Sequence, residues 1–232
     1  MATLYLIRHG QASFGQQNYD QLSDVGLEQA SIVGRALAQR LEGFDHVVSG
    51  TMHRHHQTAD NCLMQLNKQA DARTEHGGWN EYDHDDILRG LGENFQTPDA
   101  INAYLATQEN PKQVFEKAFN DSVNRWMSGE YDNYNETWTE FKTRIQAALT
   151  ESVERARSGV KETAVFTSGG VISVVAQSLL GVPSEKMMQM NWTLMNCGIT
   201  KVVVTKDRVF IASLNEHVHF ESTDMKRFIT YK

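Results

Sequence analysis

A short apolar segment at the start of the chain is the feature that most limits the possible folds. Residues 3–7 are leucine, isoleucine, threonine and tyrosine without a charge, and the polar run Arg8-His9-Gly10-Gln11 follows them directly. An uncharged run of this kind, ended by a glycine, predicts a buried strand of an α/β sheet. The residues after it are therefore expected at the carboxyl end of that strand, where open α/β sheets bind their ligands.

The residues that follow this strand suit an anion site. The fork of Arg8 matches a phosphate or a carboxylate, and His9 is the side chain type most easily used as a nucleophile or base near neutral pH. Gly10 allows the backbone to approach a ligand closely. The tripeptide alone is equally compatible with an ordinary strand end, so the rest of the chain has to decide between the two readings.

Predicted strands and helices alternate at both ends of the chain. Strands are expected at residues 44–49, 72–75, 163–167, 198–205 and 208–214, and helices at 23–42, 53–67 and 171–180. Lys206 and Asp207 join the last two strands as a hairpin turn by their spacing. We therefore predict a doubly wound, mostly parallel α/β sheet with helices on both faces.

The middle of the chain has a different composition. From Glu81 to about Glu136 acidic, amide and aromatic residues dominate. Helices are expected at 98–107 and 111–128, each with an N-cap residue, Thr97 or Asn110, directly before a proline. Thr137 and Glu140 fit a capping box that opens a long helix to about Ser158. The sequence thus predicts one domain over residues 1–232, with a helical lid insertion at about 82–136 that selects the substrate.

Composition excludes several classes of partner. The net charge of −7 argues against nucleic acid and anionic membranes, so an anion site must be made positive locally. No apolar run approaches the roughly 20 residues of a membrane span. The N-terminus also lacks the pattern of a signal peptide, which favours a cytoplasmic location. Cys62 and Cys197 are too few for a disulfide framework and are expected as buried thiols. The oligomeric state is open, and a homodimer is compatible with the sequence.

Four segments are expected to meet at the carboxyl ends of the parallel strands. They are residues 8–10, residues 49–54, Glu81 after the third strand, and residues 168–170. Together they supply two arginines, one histidine, one carboxylate and a glycine-rich helix start. This set predicts a phosphate site with a nucleophile and a proton donor. Gln11 follows the first motif closely enough to line the same pocket.

The ordered motifs resemble the histidine phosphatase superfamily, which has the phosphoglycerate mutase-like fold. The resemblance spans nearly the whole chain. It is carried by Leu6-Ile7-Arg8-His9-Gly10-Gln11, Leu22-Ser23-x-x-Gly26-x-x-Gln29-Ala30, Val48-Ser49-x-x-x-x-Arg54-x-x-Gln57-Thr58-Ala59, Asn80-Glu81, Val165-Phe166-Thr167-Ser168-Gly169-Gly170-Val171-Ile172 and Asn196-Cys197-Gly198-Ile199. The tripeptide alone is weak evidence, whereas the ordered set is specific.

The resemblance implies a metal-independent, cofactor-free phosphatase that acts on a small phosphomonoester. Neutral His9 would attack phosphorus through one ring nitrogen while a backbone carbonyl holds the other. Arg8 and Arg54 would bind the phosphoryl oxygens, with Ser168 and Gly169 at the helix start as further phosphate contacts. Glu81 would protonate the leaving alkoxide and then activate the hydrolytic water.

Ser168 departs from the family pattern, which has a second histidine there. By analogy with the loss of one oxyanion donor, this exchange would cost about 3–4 kcal/mol in the transition state, or ~10²–10³ in rate. The sequence therefore predicts a weaker phosphatase, and predicts that Ser168→His raises the rate. Ser168 is equally compatible with an ordinary helix N-cap. A catalytically silent phospholigand- or partner-binding protein is the alternative function, and mutase activity is less favoured because the pocket lacks one cationic group.

A zinc hydrolase is the rival class. His53, His55 and His56 cluster near Asp60, and a separate pair, His217 and His219, would share one face of a strand. Helical ligand pairs need i, i+4 spacing, which the first cluster lacks, so the sequence favours a site without metal. The late segment Asn215-x-x-x-His219-Phe220 resembles a family segment that would place His219 near the pocket rim. A structural role at a strand end is equally compatible with it.

Overall fold

The computed structural model describes residues 1–13, 20–68 and 70–231, which divide into two compact units. The first unit holds Met1–Glu81 with Ile145–Lys232, and the second is Tyr82–Arg144. Within the described residues, six strands of the first unit form one sheet of order β3-β2-β4-β1-β5-β6. They are β1 (Ala2–Arg8), β2 (His46–Ser49), β3 (Ala72–Glu75), β4 (Glu162–Thr167), β5 (Ile199–Val204) and β6 (Val209–Glu216).

Four neighbouring strands of this sheet run parallel. β1 pairs with β4, and β2 pairs with both β4 and β3. β5 is antiparallel to β1 and to β6, and Thr205 and Arg208 close the predicted hairpin with a hydrogen bond of 2.8 Å. The predicted mostly parallel α/β sheet is therefore confirmed. Its parallel strands all end at one edge, where the segments after β1, β2, β3 and β4 meet.

The interior of the first unit forms around β1. Leu4, Leu6 and Ile7 are fully buried, as expected for a strand covered on both faces. The two cysteines, Cys62 and Cys197, are buried and free, as predicted. None of the helices in the described part of the chain is both long and apolar enough to cross a bilayer.

Helices α1 (Asp24–Ala38), α2 (His53–Leu63), α7 (Gly169–Leu180) and α8 (Ser184–Thr193) belong to the first unit. The sequence did not indicate α8, and it placed the ends of α1 and α2 about four residues too late. Leu41 and Leu66 pack on the core from tight turns beyond those helices. The spacing of apolar residues indicates which side chains are buried, but it does not show that the backbone is helical. A turn can bury a leucine as well as a helix can, so the spacing continued past the ends of both helices.

The second unit is built from α3 (His84–Arg89), α4 (Pro98–Ala106), α5 (Pro111–Met127) and the beginning of α6 (Trp138–Arg157). Trp126, Trp138 and Phe141 form its aromatic centre, with ring centroids 5.0–5.8 Å apart. The helices expected at 98–107, 111–128 and 137–158 are confirmed, whereas α3 was not predicted. That this unit acts as a substrate-selecting lid stays a prediction.

Two of the three helix caps expected in this part of the chain are present. Thr97 accepts a hydrogen bond from the amide of Ala100, and Thr137 and Glu140 form both bonds of the predicted capping box. Asn110 stands at the start of α5 but makes no capping hydrogen bond with its side chain. Its position was predicted correctly and its capping interaction was not.

Two backbones touch where β1 leads into the site. A Cβ on Gly26 in the first turn of α1 would lie 2.2 Å from the carbonyl oxygen of Gln11. A Cβ on Gly10 would lie 2.4 Å from the carbonyl oxygen of Gly26. Only glycine fits at either position, because a backbone carbonyl cannot swing aside as a side chain can. This contact fixes the segment after β1 against the start of α1.

We expect Gly26→Ala to lower the free energy of unfolding by about 1–3 kcal/mol, because backbone atoms must move to admit the methyl group. The loss should appear even though alanine is the better helix former by about 1 kcal/mol. Urea denaturation measures it. Gly77→Ala is the matched control, since its Cβ would find only an ordinary contact of 3.9 Å with Asn80. Equal stability of the two variants would contradict the close packing.

Candidate active site

His9 is held at the end of β1 through its backbone and its ring. Its amide donates to the carbonyl of Thr167 at the end of β4 (2.9 Å), and its carbonyl accepts from the side-chain amide of Asn196 (3.0 Å). Ring atom Nδ1 lies 2.7 Å from the carbonyl oxygen of Gly10. Because a carbonyl only accepts, Nδ1 carries the proton and Nε2 of the neutral ring keeps its lone pair. The family resemblance implies this contact.

Arg8 is the last residue of β1, and its guanidinium spans two later segments. Nη1 donates to the carbonyl oxygen of Leu194 and to that of Tyr231, the second at 3.1 Å. A Cβ on Gly169, the first residue of α7, would lie 3.4 Å from Nε of Arg8. The guanidinium of Arg8 therefore packs over the start of α7, so these two predicted phosphate-binding residues lie together.

Arg54 lies in the first turn of α2 and is 4% exposed. Its Nη1 is 2.8 Å from one carboxylate oxygen of Asp20. The other carboxylate oxygen of Asp20 accepts from the backbone amide of His53 at 2.8 Å. One acid thus binds both the side chain of Arg54 and the first amide of its helix, which holds the guanidinium in place. The sequence motifs gave no signal for Asp20.

Glu81 reaches the start of α7 from the segment after β3. Its carboxylate accepts a hydrogen bond from the amide of Gly170 at 3.0 Å. The same segment is attached to β4, since the hydroxyl of Thr167 donates to the carbonyl of Trp79 at 2.6 Å. Glu81 therefore lies beside the end of β4, where Ser168 follows.

Ser168 occupies the N-cap position of α7, but its hydroxyl makes no capping hydrogen bond. The N-cap position of Ser168 is therefore confirmed, but the capping hydrogen bond of an ordinary N-cap is absent. Its Oγ lies 2.7 Å from Nε2 of His55, and both residues are fully buried. The ring of His55 is 5.7 Å from that of His9, measured between centroids. The sequence treated His55 only as a member of a metal-like cluster, and nothing in its spacing pointed to Ser168.

Gln11, the remaining predicted phosphate contact, lies between α1 and the end of β1. Its side-chain carbonyl accepts from the hydroxyl of Ser23 at 2.9 Å, and its backbone amide donates to the side chain of Gln29 at 2.8 Å. These bonds anchor the residue on α1. Its role in binding phosphate stays a prediction.

The histidines that suggested zinc have other contacts. His56 lies 3.4 Å from Glu75, and Nδ1 of His217 lies 2.7 Å from the carbonyl oxygen of Asn215. Nε2 of His219 lies 3.1 Å from the carbonyl oxygen of Cys197. Across residues 1–13, 20–68 and 70–231, no three histidine, cysteine, aspartate or glutamate side chains come together as a metal site.

The imidazole rings of His9 and His55 are both neutral at pH 7. Burial lowers the pKa of His9 well below its usual value, and the charges of Arg54 and Arg8 lower it further. Burial likewise lowers the pKa of His55 well below its usual value, with Arg54 as the second cause. A neutral imidazole beside two cations offers a nucleophilic nitrogen next to groups that attract a phosphate.

The sheet and this cationic site define an α/β protein with the phosphoglycerate mutase-like fold. The structure is similar to phosphoglycerate mutase from Bacillus anthracis str. Sterne, with a TM-score of 0.65 and 19% identity over 94% of each chain. It is also similar to a phosphoserine phosphatase mutant from Entamoeba histolytica in complex with phosphoserine. There the TM-score is 0.62 and the identity 18%, over 94% of this chain and 99% of the other.

The sequence matches the model of the histidine phosphatase superfamily (branch 1) over residues 4–217, so the chain belongs to this superfamily. A broad-specificity phosphatase of Saccharomyces cerevisiae (strain ATCC 204508 / S288c), YOR283W, is 26% identical over 183 residues, which are 76% of this chain and 69% of the relative. The predicted family is confirmed. So is the prediction of a phosphoric monoester hydrolase of the histidine phosphatase type.

The pKa of His9 gives a test of this geometry. We expect NMR titration to find the ring neutral well below pH 6.5, because a lowered pKa keeps the uncharged form at more acidic pH. Arg54→Met should raise the pKa of His9 by removing a neighbouring positive charge. Arg35→Met is the control, since Arg35 pairs with Glu28 on the surface of α1. A pKa of His9 that is equal in both variants would contradict the proximity of Arg54.

Proposed function

We propose that the protein hydrolyses a small phosphomonoester in two steps through a phosphohistidine on His9. The observation that carries the proposal is the tautomer of this residue. Nδ1 donates to the carbonyl of Gly10, so the lone pair of the neutral ring is on Nε2, beside Arg8 and Arg54. A nucleophile needs a free lone pair, and an attack on a phosphate dianion needs nearby positive charge.

In the first step Nε2 of His9 forms a bond to phosphorus while the bond to the ester oxygen breaks. Glu81, entering as the carboxylic acid, gives its proton to that departing oxygen, and the alcohol leaves. The guanidinium groups of Arg8 and Arg54 neutralise charge on the phosphoryl oxygens. The amide of Gly169 and the hydroxyl of Ser168 add donors at the start of α7, and Gln11 completes the phosphate contacts.

In the second step water replaces His9 on phosphorus. Glu81, now a carboxylate, takes a proton from the water as the oxygen attacks, and the bond between Nε2 and phosphorus breaks. Inorganic phosphate leaves, and both His9 and Glu81 return to their starting states. The carboxylate of Glu81 is held by the amide of Gly170, which supports this role because a fixed base needs no reorientation.

The known relatives support a small phosphorylated substrate. One relative is a broad-specificity phosphatase, and one similar structure is a phosphoserine phosphatase in complex with phosphoserine. Residues 82–136, which the sequence predicts to select the substrate, are rich in acidic and aromatic side chains, and carboxylates disfavour a highly anionic leaving group because they repel it. We therefore propose substrates with one phosphate on an uncharged or weakly charged alcohol.

Turnover and covalent labelling of His9 distinguish this phosphatase from a silent phosphate binder. We expect the wild-type protein to turn over a generic aryl phosphate and to retain label on His9 after a rapid alkaline quench, since phosphohistidine survives base better than acid. His9→Ala should lose both the label and the turnover. Binding of phosphate without label or turnover in the wild-type protein would contradict the proposal and favour the binder.

The role of Glu81 has a separate signature. Glu81→Gln should reduce turnover of an alkyl phosphate by ~10²–10⁴-fold, because the amide cannot donate or accept the proton. An aryl phosphate has a good leaving group and needs less protonation, so its first step should suffer less and the label on His9 should accumulate. Equal losses with both substrates would contradict the assignment.

His217→Ala and added chelator should leave activity unchanged, whereas a zinc hydrolase would lose it.

A further inference from the structure

His55, which is buried against Ser168, has no part in the steps described so far. Nε2 of His55 and Oγ of Ser168 are 2.7 Å apart, and both residues are fully buried. The His55 ring lies 5.7 Å from the ring of His9. A polar pair inside the site, with one ring this close to the proposed nucleophile, can act on the same phosphoryl group.

The backbone around His55 is shaped to hold an imidazole. A Cβ on Gly50, the residue after β2, would lie 2.2 Å from Nδ1 of His55. Gly50 is fixed there because its amide donates to the carbonyl of Phe166 in β4 at 3.0 Å. The ring therefore packs on bare backbone at this point, and any larger residue at position 50 would displace it.

The hydrogen-bond pattern indicates which atom carries the proton of His55. Within the described part of the chain, Nδ1 has no hydrogen-bond partner, whereas Nε2 faces Oγ of Ser168. Burial lowers the pKa of the ring, so it is neutral and has one N–H. An unpaired buried N–H is rarer than an unpaired acceptor, which places the proton on Nε2. Ser168 then accepts from His55, and its own hydroxyl hydrogen points elsewhere.

We propose that His55 is a positioning residue that supplies the second imidazole of the site through Ser168. Nε2–H of His55 donates to Oγ of Ser168, and the hydroxyl of Ser168 donates to a phosphoryl oxygen. Each donor in such a chain polarises the next, so the hydroxyl becomes a stronger donor than an isolated serine. This inference rests on the proposed phosphate site. It replaces the view that exchange of the second histidine for serine leaves the site one imidazole short.

The proposal reverses an expectation from the sequence. Ser168→His alone was expected to raise the rate, but a second ring at position 168 would meet the ring of His55, which already lies within hydrogen-bonding distance of Oγ. We now expect Ser168→His to lower the rate. The double variant His55→Ala with Ser168→His should recover activity above either single variant, because the new ring can use the space that the old one leaves. A double variant no more active than the weaker single variant would count against the proposal.

Two substitutions of similar size separate the donor from its volume. His55→Gln keeps an N–H near the position of Nε2, whereas His55→Leu fills the space without a donor. We expect His55→Leu to slow phosphohistidine formation by about 10- to 100-fold, and Ser168→Ala to slow it similarly, because each removes a bond that reaches the charged phosphoryl group. His55→Gln should remain within about threefold of the wild-type rate. A merely structural role would reduce thermal stability and leave the two variants of His55 equally active, which would overturn the proposal.

Coupling between the two positions gives a further criterion. The double variant His55→Leu with Ser168→Ala should be no slower than Ser168→Ala, since both residues act in one chain and its last member is already absent. Rate losses that multiply would mean independent roles and would overturn the proposal.

Binding and NMR measurements keep this test separate from that of the proposed function. Long-range ¹H–¹⁵N spectra of the wild-type protein should show His55 protonated at Nε2, and a proton on Nδ1 would overturn the proposal. Inorganic phosphate should bind His55→Leu and Ser168→Ala more weakly than it binds His55→Gln. These results stand even if the protein proves a silent binder, whereas an active wild-type enzyme with equal Leu and Gln variants refutes the role of His55 alone.

Discussion

The hydrogen bond from Nδ1 of His9 to the carbonyl of Gly10 is the contact on which the rest of the site depends. It decides which ring nitrogen keeps a lone pair, and it requires that the backbone of Gly10 be held in one place. Two contacts hold the backbone of Gly10 in place. The backbone of Gly26 packs directly against it, and the hydroxyl of Thr58 accepts a hydrogen bond from the amide of Gly10 at 3.1 Å. The fold thus sets the chemistry of the ring through the main chain.

The ends of the strands also bring the two arginines to the ring of His9. Arg8 needs only to be the last residue of β1, while Arg54 arrives in the first turn of the helix after β2. Thr58 connects the two elements, because its hydroxyl donates to the carbonyl of Arg54 and also accepts from Gly10. Parallel strands that end at one edge therefore gather charges from distant parts of the sequence. The negative net charge of the chain therefore does not prevent a cationic site, because the two arginines lie close to the ring.

Sequence patterns predicted the sheet well because each buried strand has a local signature. The apolar run of β1 and the motif around Arg54 each identify an element and its end, so His9 and Arg54 were predicted together. The pairing of His55 with Ser168 could not be predicted in this way, because the contact joins residues 113 positions apart. Asp20 was missed for the same reason. The spacing of apolar residues along the sequence does not indicate which distant side chains will be in contact in the folded protein.

Boundaries were less predictable than elements, and for a physical reason. Leu41 and Leu66 continue the apolar period of α1 and α2, but the chain reaches their positions through turns. Ser168 illustrates the converse case. It stands where a serine is expected to cap a helix, yet its hydroxyl bonds to a buried ring. Local preference yields when a buried nitrogen would otherwise lack a partner.

Reliance on uncharged imidazoles has a consequence for acid tolerance. Burial lowers the pKa of His9, His46, His55 and His219, the last to about 4. An unfolded chain takes up protons on these rings as the pH falls below about 6.5, and the folded chain does not. Acidification therefore favours the unfolded state while the nucleophile itself is still uncharged. The four rings therefore make the fold less stable in acid, since each takes up a proton more readily in the unfolded chain.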